Sequence, residues 1–125
     1  MEKISTIQKR NKLNEVYRED EPGAGGACHC YLVCKAGDDG TVRDCGIVGE
    51  IRFQHGARYD ATSVHGVLDT DLLEIVRDRL KSFQSGEFPT RENTMALTHI
   101  EEALLWMNKR VEDRAERGVL GTMKK

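Results

Sequence analysis

Three arginines in the last third of the chain have the spacing of a phosphate-binding cluster. Arg110, Arg114 and Arg117 recur at intervals of four and three residues, so a helix would carry them on one face. Guanidinium groups make forked hydrogen bonds to phosphate oxygens, and three of them side by side repel one another unless an anion lies among them. The plainer alternative is a solvated helix face balanced by neighbouring carboxylates, those of Glu112, Asp113 and Glu116.

A nucleotide ligand would also need a flat apolar surface for its base. Phe83 and Phe88 stand on either side of a Ser-Gly break, and either ring could stack on a purine or simply pack in the core. Asn93 follows closely, and its amide offers both a donor and an acceptor to the edge of an adenine. As the plainer alternative, Asn93 is an ordinary residue of a first helical turn. These residues would form the base-binding half of a nucleotide site.

The two halves of this candidate site lie far apart in one chain. If residues 91–117 are helical, Arg110 and Arg114 lie about 25–30 Å from Phe83 and Asn93, because each helical residue advances the chain by about 1.5 Å. A small ligand cannot span that length. Two antiparallel copies could bring the arginine end of one helix beside the aromatic end of the other, so a phosphate clamp implies a dimer.

Residues suited to catalysis or to metal binding do not form a recognisable set. Structural zinc sites draw cysteines from tight turns with two to four intervening residues, whereas Cys28 and Cys30 are separated by one residue on a predicted strand. His99 and Glu102 supply at most half a metal site, and no HExxH or GxSxG motif occurs. We therefore expect no catalytic residue, no metal and no cofactor. The sequence does not show the role of the four cysteines, which are Cys28, Cys30, Cys34 and Cys45.

A helical hairpin must position these residues. Asp69, Thr70 and Asp71 are N-cap candidates for a first helix, which Ser85 and Gly86 would end. Thr90 can cap a second, longer helix that Gly118 would stop. The apolar stripe of this second helix recurs at three- and four-residue intervals and comprises Ala96, Ile100, Ala103, Leu104, Met107 and Val111. Off this stripe lie Leu97, Leu105 and Trp106, so a second subunit or the sheet is needed to cover the remaining apolar surface.

The N-terminal half has the pattern of a small antiparallel sheet. Residues 29–35 and 42–53 predict two strands around the turn sequence AGDDG, and Gly46 and Gly49 indicate a bulge or a break in the second strand. The glycine-rich residues 22–27 and the polar residues 54–66 predict loops. The predicted fold class is therefore α+β in a single domain, residues 1–125. A β-rich part, residues 1–66, precedes an antiparallel two-helix hairpin, residues 67–122.

Composition narrows the classes of partner. A chain of 125 residues with a net charge of −2 has no bulk attraction to DNA. It has no apolar run approaching about 18 residues and no signal-peptide pattern, so neither a membrane partner nor export is expected. Cysteines in a chain without an export signal are expected to be reduced.

The hairpin sequence resembles a known phage family. The runs DLLEIVRDRLKSFQSGEF and TRENTMALTHIEEALLWMNKRVEDRAERGVLGT, within residues 69–122, look like the hairpin of phage Thoeris anti-defence proteins of the first type. The segment GEIRFQHGAR, from Gly49 to Arg58, is similar to the strand and loop before that hairpin. Phage anti-CBASS cyclic-nucleotide sponges share the same hairpin. The SFQ, REN, IEEAL-W and R-x₂-DR-x₂-RG-x₂-GT elements carry the resemblance together.

The resemblance implies a phage protein that holds a cyclic ADP-ribose isomer, made by a bacterial TIR-domain enzyme, without cutting it. The protein would act in the cytoplasm of the infected host. Family roles then fall on Phe83 as the adenine stacker and Asn93 as a ligand contact. The phosphate contacts implied are those of Arg110 and Arg114, with Arg58 as a further one.

The resemblance also implies a second pocket in a larger assembly. Relatives of this kind bind cyclic dinucleotides or trinucleotides in separate pockets of a hexamer, so self-association as a dimer or a hexamer is expected. The residues that would serve the second pocket lie in the C-terminal tail and are Arg117, Gly118, Gly121 and Thr122.

Three other functions remain open on the sequence. An enzyme that opens the same messenger would need an acid, base or metal, for which only the His99–Glu102 pair or the cysteines are available. A helical adaptor would use the long apolar face to bind a host protein. A zinc-stabilised regulator would use the four cysteines.

Overall fold

Contacts in the computed structural model divide the chain into two units. The first comprises residues 1–56 and 62–66, and the second comprises residues 57–61 and 67–125. The first unit contains the strands and the second contains the helices, so the predicted α+β class is confirmed. That the whole chain forms one domain stays a prediction.

The first unit is built on an antiparallel sheet. The structure describes residues 1–37 and 46–125, and within them the strands are β1 (Glu2–Lys3), β2 (Asn14–Arg18), β3 (Cys30–Lys35) and β4 (Ile47–Arg52). They lie in the order β1-β2-β3-β4, each antiparallel to its neighbour. A small core forms where Tyr17 of β2 faces Leu32 of β3, with Cys34 fully buried beside them.

Gly49 of β4 has the predicted consequence. Val33 pairs with Gly49 and Cys34 pairs with Ile47, so Val48 is an extra residue and the ladder is bulged there. The bulge that Gly49 indicated is therefore confirmed. Residues 38–45, which include most of the predicted turn and Cys45, lie outside the described residues.

The N-terminal segment contains two strands, β1 and β2, which the sequence did not predict. In β2, Tyr17 is buried and pairs with Leu32 of β3, a partner distant in the sequence. The predicted glycine-rich loop is confirmed. Gly25 and Gly26 both adopt φ +88°, a conformation that favours glycine.

The second unit contains the predicted helical hairpin, α1 (Asp69–Ser85) and α2 (Arg91–Glu116). The prediction that Asp69, Thr70 or Asp71 caps α1 was wrong, because the N-cap position is Leu68. The Asp71 carboxylate instead accepts a hydrogen bond from the Leu68 backbone N–H at 2.8 Å.

Neither described helix combines the length and apolar character that crossing a membrane requires.

The bend between the helices is held by side-chain hydrogen bonds. The Thr90 hydroxyl accepts from the Asn93 N–H at 3.0 Å, so the predicted N-cap of α2 is confirmed. The Gln84 amide accepts from the Thr90 N–H at 3.0 Å and donates to the Thr90 carbonyl at 2.9 Å. Further along, Arg77 Nε lies 2.8 Å from a carboxylate oxygen of Glu101, and this hydrogen bond raises the pKa of Arg77.

The facing sides of the hairpin are only half-buried. No residue of either helix is fully buried. Leu97 is half-buried and Ala96 is exposed, so the predicted stripe was wrong at these two positions, because the position of α1 decides which side of α2 is covered. The prediction that Leu105 and Trp106 lie off the stripe is confirmed, since they are 71% and 65% exposed. Apolar surface of this extent on a helix pair favours a further contact.

The C-terminus of α2 ends as predicted at Gly118. Gly118 adopts φ +71°, its N–H donates to the Ala115 carbonyl at 3.1 Å, and the Val119 N–H donates to the Arg114 carbonyl at 3.0 Å. This pair of bonds is a Schellman motif, which turns the chain back along the helix.

We expect Thr90→Ala to lower the free energy of unfolding by about 1 kcal/mol, because the Asn93 N–H loses its acceptor. Thr98→Ala is the matched control. The Thr98 hydroxyl is exposed and donates within α2 to the Thr94 carbonyl at 3.0 Å, so its loss should change stability by less than about 0.5 kcal/mol. Urea unfolding of both variants measures the difference. Equal losses would show that the cap does not stabilise the bend.

Candidate functional site

The predicted arginine cluster lines a cavity at the C-terminal end of α2. The hairpin has two cavities: one of about 650 Å³ lies between the helices, and one of about 530 Å³ lies at the arginine cluster. The smaller cavity is lined by Trp106, Lys109, Arg110, Asp113, Arg114, Arg117 and Lys125. All but one of its charged side chains are basic, so the cavity is suited to an anion.

The cations of this cavity are not equally available to a ligand. Lys109 Nζ lies 3.0 Å from a carboxylate oxygen of Asp113, and Arg117 donates to the Lys125 carbonyl. Within the part of the chain that the structure describes, the exposed guanidinium of Arg110 has no hydrogen bond or ion pair. Arg110 therefore carries the guanidinium of this cluster best placed to bind an incoming phosphate.

Arg114 is already engaged by the C-terminal tail. Its Nη2 donates to the carbonyls of Val119 and Thr122, both at 3.1 Å, and its side chain is half-buried. The Thr122 hydroxyl in turn donates to the Val119 carbonyl. Arg114 thus holds the tail against α2, and a phosphate contact from this residue would have to share or replace these bonds.

The tail brings Arg58 to the same end of α2. The Tyr59 N–H donates to the Gly121 carbonyl at 3.1 Å. Gly121 adopts φ +77°, and a Cβ there would lie 2.5 Å from Arg58 Cγ and 2.5 Å from the Tyr59 ring, so only glycine fits. Three predicted phosphate contacts, Arg58, Arg110 and Arg114, therefore share one end of this unit with the predicted second-pocket residues Arg117, Gly118, Gly121 and Thr122.

The predicted base-binding residues flank the opposite end of the hairpin. Phe83 is 48% exposed, and the guanidinium carbon of Arg79 lies 5.4 Å from its ring centroid. This cation–π contact covers one face of the ring. Asn93 uses its backbone N–H in the Thr90 cap, and its side-chain amide has no hydrogen-bond partner within the described residues. Both an aromatic face and a free amide are thus available at the bend.

The structure keeps these two sets of residues apart. Asn93 and Arg110 belong to the same helix, so their backbones are about 25 Å apart along its axis. A single chain therefore brings the arginines together and the base-binding pair together, but not all of them onto one small ligand.

Sequence reasoning did not assign two residues of these clusters. Trp106 lies one turn before Arg110 and lines the same cavity, and Arg79 lies one turn before Phe83 and stacks on its ring. Their four-residue spacing from predicted residues was the signal that could have revealed them.

The cysteines and histidines form no catalytic arrangement in the described residues. Cys28, Cys30 and Cys34 are free thiols, and burial followed by nearby negative charge raises the pKa of both Cys28 and Cys34. Thiols held in the neutral form are poor nucleophiles and poor zinc ligands. No cluster of three or more histidine, cysteine or acidic residues suited to a metal occurs in residues 1–37 and 46–125. His99 and Glu102 are exposed to solvent on α2.

One histidine pair lies in the first unit. The rings of His29 and His55 stack with centroids 4.0 Å apart, and Gly23 packs so closely that a Cβ there would lie 2.8 Å from the His29 ring. Asp20 accepts hydrogen bonds from the backbone N–H groups of His29 and Cys30. Desolvation by burial would raise the pKa of Asp20, but the hydrogen bonds from these backbone N–H groups stabilise the carboxylate and hold its pKa below the usual value. The carboxylate is therefore a structural anchor for the start of β3.

Comparison with known proteins assigns the hairpin to a family. Residues 46–112 match the family described as the Acb2/Tad1 hairpin domain, and this segment is more than half of the chain. A protein named Thoeris anti-defense 1, from Bacillus phage SBSphiJ7, is 45% identical over 86 residues. That alignment covers 68% of this chain and 60% of the relative, so the chain spans less than two thirds of the relative's length. The chain belongs to the Acb2/Tad1 hairpin domain family.

The bounds of the family match separate the candidate residues into two groups. Arg58, Phe83, Asn93 and Arg110 lie within residues 46–112. Arg114 and the tail that it holds follow the matched segment. The roles of Arg114 and of the tail therefore depend on this chain's own contacts.

We expect Arg114→Ala to lower the free energy of unfolding by about 1–2 kcal/mol, because the carbonyls of Val119 and Thr122 both lose the hydrogen bond that ties the tail to α2. Arg110→Ala is the matched control and should leave stability unchanged, since its guanidinium has no partner in the described part of the chain. Thermal unfolding measures the difference, and hydrogen exchange at Val119 and Thr122 should become faster only in Arg114→Ala. Unchanged exchange in that variant would show that Arg114 does not hold the tail.

Proposed function

We propose that this protein is a phage anti-defence sponge. It binds a cyclic ADP-ribose isomer made by a bacterial TIR-domain immune enzyme and holds it unaltered, so that the downstream effector receives no signal. The observation that supports this most strongly is the family membership of the hairpin, together with the relative named Thoeris anti-defense 1. The site of action is the cytoplasm of the infected host, where the immune enzyme releases its product.

The binding pocket lies between two copies of the chain. Phe83 and Asn93 of one copy take the adenine, and Arg58, Arg110 and Arg114 of the other take the phosphates. An antiparallel pairing of two hairpins would give this arrangement, because it would place the bend of one copy beside the arginine end of the next. The separation of about 25 Å within one helix is the reason for requiring the second copy.

Sequestration depends on affinity rather than on acid–base chemistry. A sponge must bind more tightly than the effector does, which requires a desolvated pocket with several charge-assisted hydrogen bonds. Arg110 can supply charge-assisted hydrogen bonds and Phe83 a stacking surface, and neither contact requires a general acid or a nucleophile.

A second pocket for cyclic dinucleotides or trinucleotides belongs to the same proposal. Its residues are those of the tail, namely Arg117, Gly118, Gly121 and Thr122. Gly118 has no side chain and open space beside its Cα, so its backbone can approach a ligand closely, whereas Gly121 packs against Arg58 and Tyr59 and fixes the position of the tail. Several copies in a hexamer would complete such a pocket.

Capture followed by release tests the proposed function. The protein is incubated with lysate of cells containing an activated TIR system, purified again and heat-denatured. We expect mass spectrometry to find an intact cyclic ADP-ribose isomer in the released fraction. A linear product would instead identify an enzyme that opens the messenger, and the absence of any captured nucleotide would contradict the proposal.

We expect two inactive variants to restore binding when mixed. Phe83→Ala and Arg110→Ala each break both pockets of a homodimer, whereas a mixed dimer retains one intact pocket. After equal mixing and subunit exchange, titration with the captured messenger should find about a quarter of the parent's sites, because half of the dimers are mixed. Phe88→Ala is the matched aromatic control and should bind like the parent, since Phe88 is 79% exposed beside the bend. No recovered sites after confirmed exchange would place the whole pocket in one chain.

A further inference from the structure

We propose that Trp106 is a second nucleobase platform, and that the cavity it lines binds a purine nucleotide through the base as well as through the phosphates. This inference rests on the proposed function, which it deepens by adding a contact on the arginine side of the pocket. Phe83 and Trp106 would then supply aromatic surfaces from different copies.

The position of Trp106 is the first observation. Its side chain is 65% exposed, although tryptophan is the largest apolar side chain in the chain and the sequence contains only one. Within the described residues it makes no ring contact and no hydrogen bond. A flat apolar surface is therefore left open on α2.

The chemistry of the surrounding cavity is the second observation. Trp106 lines a volume of about 530 Å³ together with Lys109, Arg110 and Arg114. Arg110 follows Trp106 by one helical turn, so the two side chains are neighbours on the same face. A phosphate alone would need only the cations, and an apolar ligand would avoid them. A flat ring beside a free guanidinium fits a ligand with both a π face and a phosphate, which is a nucleotide.

The neighbouring leucine separates this role from simple self-association. Leu105 is 71% exposed and lines a different groove between the helices, with Leu104 and Val111. Trp106 lines the basic cavity instead. An apolar contact with a second copy would use either side chain, whereas base stacking uses Trp106 alone. Leu105→Ala is therefore a matched control of similar exposure.

The test uses ADP and inorganic pyrophosphate as probes at low ionic strength. We expect Trp106→Ala to weaken ADP binding by about tenfold or more and pyrophosphate binding by less than twofold, because only ADP carries a base. Trp106→Phe should recover most of the ADP affinity. Leu105→Ala should bind both probes like the parent. Light scattering of each variant reports its assembly.

The parent protein gives an independent readout, because Trp106 is its only tryptophan. ADP should quench the indole fluorescence at saturation, and this holds even if Trp106→Ala does not fold. Unchanged fluorescence on ADP binding, or an equal loss of both probes in Trp106→Ala, would overturn the proposal. Loss of assembly in that variant with unchanged ADP affinity per chain would also overturn it. If the protein captures the messenger but Trp106→Ala does not weaken ADP binding more than pyrophosphate binding, only this inference is contradicted. If Trp106→Ala weakens ADP binding selectively but the protein captures no messenger, only the proposed function is contradicted.

Discussion

A helix of 26 residues sets the distance on which the rest of the account depends. Hydrogen bonds along α2 make it rigid, so Asn93 near its start and Arg110 near its end keep a separation of about 25 Å. The partner helix α1 has only 17 residues and leaves the last turns of α2 to the tail. The residues proposed to bind the base and those proposed to bind the phosphates are therefore kept apart in one chain, and a compact nucleotide could contact both sets only across two copies.

Both ends of α2 are fixed by local hydrogen bonds, which keeps the two half-sites in defined positions. At the bend, the Thr90 hydroxyl caps α2 while the Gln84 amide ties the end of α1 to the same residue. At the far end, Gly118 reverses the chain and Arg114 holds the returning tail through two carbonyls. The tail also seats the Arg58 loop. The proposed pocket therefore uses backbone that is already fixed, which lowers the entropic cost of capture, and only Arg114 would have to share or replace existing hydrogen bonds.

The sequence was most informative where the signals are local. The cap at Thr90 and the stop at Gly118 depend on neighbouring residues, and both were predicted correctly. The attachment of Arg114 to the tail was not predictable, because its acceptors are backbone carbonyls whose position follows from the turn at Gly118. Likewise, the sequence could not show that Leu97 and not Ala96 lies on the covered face of α2, because this depends on how α1 packs. Residue types thus indicated the candidate contacts, but packing decides which of them are free.

The central claim is that each captured messenger is shared by two copies and stays intact. Native mass spectrometry of the protein saturated with the messenger tests this directly. We expect assemblies with an even number of chains and one unmodified ligand per chain, with no ligand-bound monomer. A monomer carrying one ligand, or a bound species with the mass of a hydrolysed product, would contradict it.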